Sequence, residues 1–263
     1  MLVATDLDGT LVRSDGTISA RTVEVLSSIT AGGTPIILVT GRPVRWMSTV
    51  YDQLPLPLPA VCANGAVVYD PTTDEVLRAD PLAPDLLGQI CAKLRAELPD
   101  AVFAVEIEHG RAMRHEPTYP LRWDAERVVV RPSDTLAELC AVPAVKLLVR
   151  SGDRDSDTLL AAVLSCVDGL AEATHSTASG LVELSAVGVT KAAGLAWLCE
   201  RLEVAPADVV AFGDMPNDIP MLSWAGTAVC VANAHPAALA VADEVTLSND
   251  EDGVAAYLTR SGR

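Results

Sequence analysis

Apolar residues gather in short unbroken runs at both ends of the chain and take an alternating pattern in its middle. The runs "LVAT" (2–5), "PIILVT" (35–40), "AVCA" (60–63), "DVVAFG" (208–213) and "TAVCVA" (227–232) are rich in Val or Ile and bounded by Gly, Pro or polar residues. Such runs predict strands buried on both faces. Helical spacing fills the intervals. "SARTVEVLSSITAGG" offers Ser19 as an N-cap and Gly32-Gly33 as a stop, "PVRWMSTVYDQL" puts Pro43 in a first turn, and "TKAAGLAWLCERL" (190–202) has helical apolar periodicity. Strand–helix alternation of this kind implies a parallel sheet covered on both faces.

Between about residues 80 and 185 the strand pattern is mixed or alternating: "VFAVEIEHG", "RVVVRP", "VKLLVR", "LAEATHS" and "LVELS". Two helical stretches intervene, "PDLLGQICAKLRAEL" and "DSDTLLAAVLSCVD". An antiparallel sheet with helices on one face follows. "ADPLAP" and "SAVGV" read as the two crossings. The expected class is therefore α/β: a doubly wound, Rossmann-like parallel-sheet core formed by 1–80 and 186–263, with an α+β domain of 81–185 inserted into it.

Composition narrows the functions. A formal net charge of −16 argues against nucleic acid as a partner, since that binding needs Lys and Arg to neutralise phosphates. It also means that any anionic ligand needs a local cationic site. Cysteines at 62, 91, 140, 166, 199 and 230 form no C-x-x-C pair and mostly lie in apolar runs, so they read as buried free thiols suited to a reducing cytoplasm. No basic leader precedes Asp6, and no apolar stretch reaches the ~18 residues of a membrane span. A cytoplasmic protein with no membrane partner is expected.

Polar residues follow the core strands in a suggestive order. Asp6 and Asp8 follow the first, Thr40, Gly41 and Arg42 the second, Asn64 and Gly65 the third, and Asp214, Asn217 and Asp218 the run at 208–213. In doubly wound sheets ligands bind beyond the carboxyl ends of the strands, so parallel strands would put all four sets on one rim. A lone Asp after a strand is usually a cap or turn residue. Asp6, Asp8, Asp214 and Asp218 gathered together would instead require a cation. Oxygen-only donors suit Mg2+, whereas zinc would want His or Cys. A calcium loop starting at Asp6 fails, because Leu11 and Thr17 stand where it needs Gly and Glu. Lys191 lies near a helix start, where the dipole and free N–H groups already favour an anion.

"DLDGT", Thr40 in "LVTGR", "ANGA", Lys191 opening a late helix and "GDMPND" occur in order along the whole chain. The set resembles the haloacid dehalogenase-like phosphatases, specifically the Cof-type branch, in which a large α+β cap (type C2B) is inserted between the second and third motifs. That resemblance implies a Mg2+-dependent phosphatase acting on a small phosphorylated metabolite, a sugar phosphate or a phosphorylated cofactor. It makes Asp6 the nucleophile that forms an aspartyl phosphate and Asp8 the general acid and base, oriented by Thr10. Mg2+ would bridge Asp6, the Asp8 carbonyl and Asp214. Asn217 and Asp218 would orient water or phosphate, while Thr40, Gly41 and Lys191 hold the phosphoryl group and Arg42, Asn64 and Gly65 line the phosphate or substrate site. A phosphomutase could use the same phosphoenzyme, and a non-catalytic phospho-ligand sensor is a third reading.

Substrate choice would reside in the cap, and "HGRAMRHEPTYPLRW" (109–123) reads as a contact loop carrying Arg114, His115 and Tyr119. The histidines at 109, 115, 175 and 235 lack metal-ligand spacing and read as structural. "SNDEDGVAAYL" resembles the branch's closing helix, with Asp250 and Asp252 as capping residues. Monomer and homodimer are both compatible with the sequence.

Overall fold

The structure is a computed structural model that describes residues 1–121 and 129–260. The first 80 residues form β1 (Leu2–Thr5), α1 (Ala20–Ala31), β2 (Ile36–Val39), α2 (Ser48–Tyr51), β3 (Ala60–Cys62), β4 (Val67–Asp70) and β5 (Glu75–Ala79). The middle supplies α3 (Pro84–Glu97), β6 (Ala101–Ile107), β7 (Ala112–His115), β8 (Val129–Pro132), α4 (Leu136–Leu139), β9 (Lys146–Ser151), α5 (Ser156–Val167), β10 (Glu172–Thr174) and β11 (Val182–Ser185). The last part returns α6 (Lys191–Arg201), β12 (Val209–Gly213), α7 (Ile219–Trp224), β13 (Thr227–Cys230), α8 (Pro236–Leu239), β14 (Glu244–Val245) and α9 (Gly253–Arg260).

The core is an eight-stranded sheet in the order β14-β13-β12-β1-β2-β3-β4-β5. Strands β14 to β3 run parallel, and β4 and β5 complete the edge antiparallel. Central strands are buried along their whole length, as their unbroken apolar runs require. One face packs on α1 and α9 through Leu26, Ile29, Val254 and Leu258, and the other on α6 and α7 through Leu195, Leu198, Met221 and Leu222. The chain builds outward from β1 to β5, then resumes at β12 on the other side of β1. This reversal brings the polar ends of β1, β2, β3 and β12 to one rim.

The inserted α+β cap holds a six-stranded sheet ordered β10-β11-β9-β6-β7-β8. Leu87, Ile90, Leu94, Leu159 and Val163 cover one face with α3 and α5. Its pairings are antiparallel except β7 with β8, which is parallel.

Several expectations change. The stretch after Pro43 is not one helix: Val44–Trp46 is a 3-10 turn capped by Pro43, and α2 follows after Met47. The β4–β5 hairpin was not anticipated. Within 109–123, residues 112–115 are strand β7, so the stretch is not simply a loop. His115 and Tyr119 are buried, and Arg114 donates to the Glu138 carbonyl at 2.7 Å. Arg122 and Trp123 of that stretch, and Arg127 and Val128 of the "RVVVRP" strand, lie outside the described residues. Ser19 caps α1 as expected, its hydroxyl accepting from the Thr22 N–H. All six cysteines are free. Among the described residues, no helix is long and apolar enough to cross a membrane.

Candidate active site

The rim begins where β1 stops. The Asp6 N–H donates to the Phe212 carbonyl at 3.0 Å, so the end of β12 fixes the Asp6 backbone. Gly9 follows with φ +86°, and a Cβ there would stand 2.3 Å from an Asp214 carboxylate oxygen. Only glycine lets the first loop approach the fourth this closely. Thr10 then donates to Asp214 Oδ1 at 3.0 Å. Its partner is thus Asp214, not Asp8.

Lys191 is the first residue of α6, whose N-cap Thr190 accepts from the Ala193 N–H. Gly65, at φ +104°, seats this helix end: a Cβ would fall 2.0 Å from the Thr190 carbonyl oxygen. Gly65 therefore serves close packing rather than offering a side of the site. The Lys191 ammonium is buried and donates to Asp6 Oδ1 and Asp218 Oδ1, both at 2.6 Å. Asp218 turns its other oxygen to the N–H groups of Asp214 and Met215, at 3.0 and 2.9 Å. Its carboxylate thus fixes both the lysine and the loop after β12.

One carboxylate oxygen from each of Asp6, Asp214 and Asp218 lies within 4.8 Å of the others, and all three residues are buried. Among the described residues, a single lysine faces the three carboxylates. Burial and the neighbouring Asp6 and Asp218 push Asp214 up to about 9. Burial raises Asp6 to about 7 against the pull of Lys191. Burial alone would lower Lys191, but Asp218 and Asp6 outweigh it and hold the ammonium charged. Without a second cation the cluster must retain protons. This oxygen-only, charge-deficient group fits a divalent metal ion.

Asp8 lies apart from that cluster, with a side chain 57% exposed. Arg42 grips both its oxygens, from Nε at 2.7 Å and Nη2 at 2.5 Å, and donates from Nη1 to Thr49 at 3.0 Å. Although burial opposes it, the hydrogen bond and charge of Asp8 raise the Arg42 pKa further. Thr40 is fully buried, and its hydroxyl oxygen accepts from the Arg42 N–H at 3.0 Å. The Asn64 amide donates to Glu183 at 3.0 Å and its oxygen accepts from Asn217 at 3.1 Å. The Asn217 side-chain oxygen is buried and has no partner among the described residues. Likewise, the N–H groups of Leu7, Asp8 and Gly41 find no acceptor in the described protein.

The structure thus gathers Asp6, Thr10, Lys191, Asp214 and Asp218 tightly, links Gly41, Asn64 and Asn217 beside them, and holds Asp8 with Arg42 at the mouth. Sequence reading missed Gly9, Lys146 and Glu183. The last two had a signal, as charges at the start of the apolar run "KLLV" and inside "VEL". It also missed the support behind the first loop. Asn233 donates to the Gly9 carbonyl at 2.8 Å, Arg13 pairs with Asp252, and Ser14 donates twice to Asp250. Asp250 and Asp252 therefore clasp the first loop, while Ser248 and Glu251 form the capping box before α9.

The family model for haloacid dehalogenase-like hydrolases matches residues 3–258. The chain belongs to that family and is an enzyme of the phosphoric monoester hydrolase class. It is 29% identical to the 5-amino-6-(5-phospho-D-ribitylamino)uracil phosphatase YitU of Bacillus subtilis, over 98% of this chain and 96% of the relative. It is 30% identical to the pyridoxal phosphate phosphatase YbhA of Escherichia coli, over 98% and 97% of the two chains. Among solved structures, a haloacid dehalogenase-like hydrolase from Bacteroides thetaiotaomicron superposes with a TM-score of 0.79 at 25% identity, covering 99% of this chain and 98% of the other.

Proposed function

We propose that the chain is a Mg2+-dependent phosphatase that hydrolyses small phosphomonoesters through an aspartyl phosphate on Asp6. The observation that carries the reading is the buried meeting of Asp6, Asp214 and Asp218 around one lysine, from opposite ends of the chain. Asp6, the Asp8 carbonyl and Asp214 would hold Mg2+, which screens the charge between an anionic nucleophile and an anionic ester. Asp6 attacks phosphorus and the ester oxygen leaves. Asp8, at the open side, gives that oxygen its proton and later takes one from the hydrolytic water. Lys191, the Thr40 hydroxyl and the unpaired N–H groups of Asp8 and Gly41 are the donors available to the transferring phosphoryl oxygens.

Residues 81–185 act in this reading as the lid that selects the leaving group. YitU is named for 5-amino-6-(5-phospho-D-ribitylamino)uracil and YbhA for pyridoxal phosphate, which supports a small phosphorylated metabolite as substrate. A cytoplasmic location fits the free thiols. The test is phosphate release from a panel of phosphorylated metabolites with Mg2+ and with a chelator. Release that is indifferent to chelation, or none from any ester, overturns the proposal. Water labelled with heavy oxygen separates hydrolysis, which puts label into the free phosphate, from a mutase, which releases almost none.

A further inference from the structure

The cap places three buried charges on the sheet face opposite its helices. Register sets Glu106 across from Lys146. Leu147 and Leu184, paired on β9 and β11, point into the helix-side core, so pleating turns Lys146 and Glu183 the other way. That face meets the rim. Lys146 donates to Glu183 Oε1 at 2.8 Å and to the carbonyl of Gly41 at 2.5 Å. Glu183 Oε2 receives the Asn64 amide at 3.0 Å, and Asn64 in turn receives Asn217 at 3.1 Å. Lys146, Glu183, Asn64 and Asn217 are each more than nine-tenths buried.

The Gly41 carbonyl and the Arg42 N–H belong to one rigid peptide plane. Lys146 holds the oxygen at one side of that plane. At the other side the Arg42 N–H holds the Thr40 hydroxyl oxygen at 3.0 Å. The cap lysine therefore sets the direction in which the Thr40 hydroxyl can donate. Glu183 pairs with the Lys146 ammonium and holds the side chain in place. It is itself held below the usual glutamate range: burial pushes it up, but the Lys146 charge and hydrogen bonds win.

We infer that Lys146 and Glu183 are positioning residues for phosphoryl transfer: seated from the cap, they fix the Thr40–Gly41–Arg42 turn and Asn64, so the site is complete only when the cap is down. This rests on the phosphatase reading. Because the pair acts on the phosphoryl side, its loss affects every ester alike, whatever the leaving group.

The test compares Lys146→Met, Glu183→Gln and the double variant with the wild type on acetyl phosphate and on a hexose phosphate, with Mg2+. The double variant leaves no unpaired buried ion and keeps an oxygen for Asn64, so it retains the fold. Expected is a fall in kcat of roughly 10- to 100-fold for Lys146→Met and the double variant, by the same factor on both substrates and with KM unchanged. Glu183→Gln falls less. Amide hydrogen exchange across 38–46 rises in the double variant. A loss confined to the hexose phosphate, a loss confined to KM, or an unchanged kcat overturns the inference. Unchanged exchange overturns it too, whether or not any ester is hydrolysed. Wild-type inactivity on the whole panel, with exchange still responding, strikes the phosphatase reading instead.

Discussion

Two groups of buried charge share one rim, and they differ in balance. Asp6, Asp214, Asp218 and Lys191 put three carboxylates against one cation. Arg45, Glu106, Lys146 and Glu183, where the cap meets the core, put two against two. The first group holds its charge badly, with Asp214 driven up to about 9. In the second, Glu183 stays below its ordinary value. Burial still raises Glu106 despite Arg45 and, more weakly, Lys146, so its pairing rests first on Arg45. Burying a charge is costly unless it is paired. A deficient cluster therefore marks a place where something else binds, and a balanced one a place where chains are held.

The sharpest break is at the proposed nucleophile. Asp6→Asn keeps the shape and, on that proposal, removes the attacking oxygen anion, so phosphate release is expected to fall by roughly ten-thousand-fold or more. A residual rate near that of the wild type would mean that the deficient cluster serves only to bind. Next comes the sign of the stability change. Arg45→Met leaves Glu106 buried beside Lys146 alone and costs about 3–5 kcal/mol, read as a fall in Tm. Asp214→Asn, in the deficient cluster, causes no such fall in metal-free protein, because it replaces a carboxyl that already holds its proton near neutrality. Equal destabilisation by the two variants would erase the distinction between the clusters.

How much of this was legible follows from where each partner lies. Asp6, Asp214 and Asp218 could be grouped from sequence because strand ends in a parallel sheet share a rim, and the short Val- and Ile-rich runs announced those strands; Lys191, at a helix start, joined them through the family resemblance. Thr10 could not be assigned, since its partner Asp214 is 204 residues away and the approach depends on Gly9. The stretch after Pro43 has helical spacing, yet Met47 separates a 3-10 turn from one short helical turn, a matter of packing that periodicity does not carry. Asp250 and Asp252 look like caps locally, but Ser14 and Arg13 claim them from the far end of the chain. Lys146 and Glu183 were hardest. A one-residue change of register turns every side chain of a strand to the other face, so their meaning waits on which face of the cap sheet meets the core.

A smaller effect tests the deficient cluster through pH. Asp6 rises to about 7 and Asp214 to about 9 from a common 3.8. Between about pH 4 and pH 9 the folded, metal-free chain thus keeps protons that the unfolded chain releases, and stability falls as pH rises. From about pH 5 to pH 8 in chelator, Tm is expected to drop by at least ~5 °C. On the proposed function Mg2+ replaces those protons, so the gain in Tm on adding it is expected to be larger at the higher pH. Asp214→Asn flattens the slope. A Tm that rises with pH in chelator would mean that these carboxyls are already ionised in the fold.

The smallest effect lies at the mouth, in the pair that belongs to neither buried group. Arg42 spends Nε and Nη2 on Asp8 and Nη1 on Thr49. The guanidinium is fixed at three points, so in the proposed mechanism it sets where the Asp8 carboxylate stands when the ester oxygen departs. Lysine keeps the charge but lacks the planar fork that matches two carboxylate oxygens. Arg42→Lys should lower kcat about 3- to 10-fold, and Thr49→Val, which removes only the third anchor, should lower it less. Because the Asp8 side chain is more than half exposed, part of the attraction is screened by salt, so kcat of the wild type falls with ionic strength and that of Arg42→Lys changes little. A faster Arg42→Lys enzyme would reverse the assignment, making Arg42 a group that occupies Asp8 and must be displaced before the acid can work.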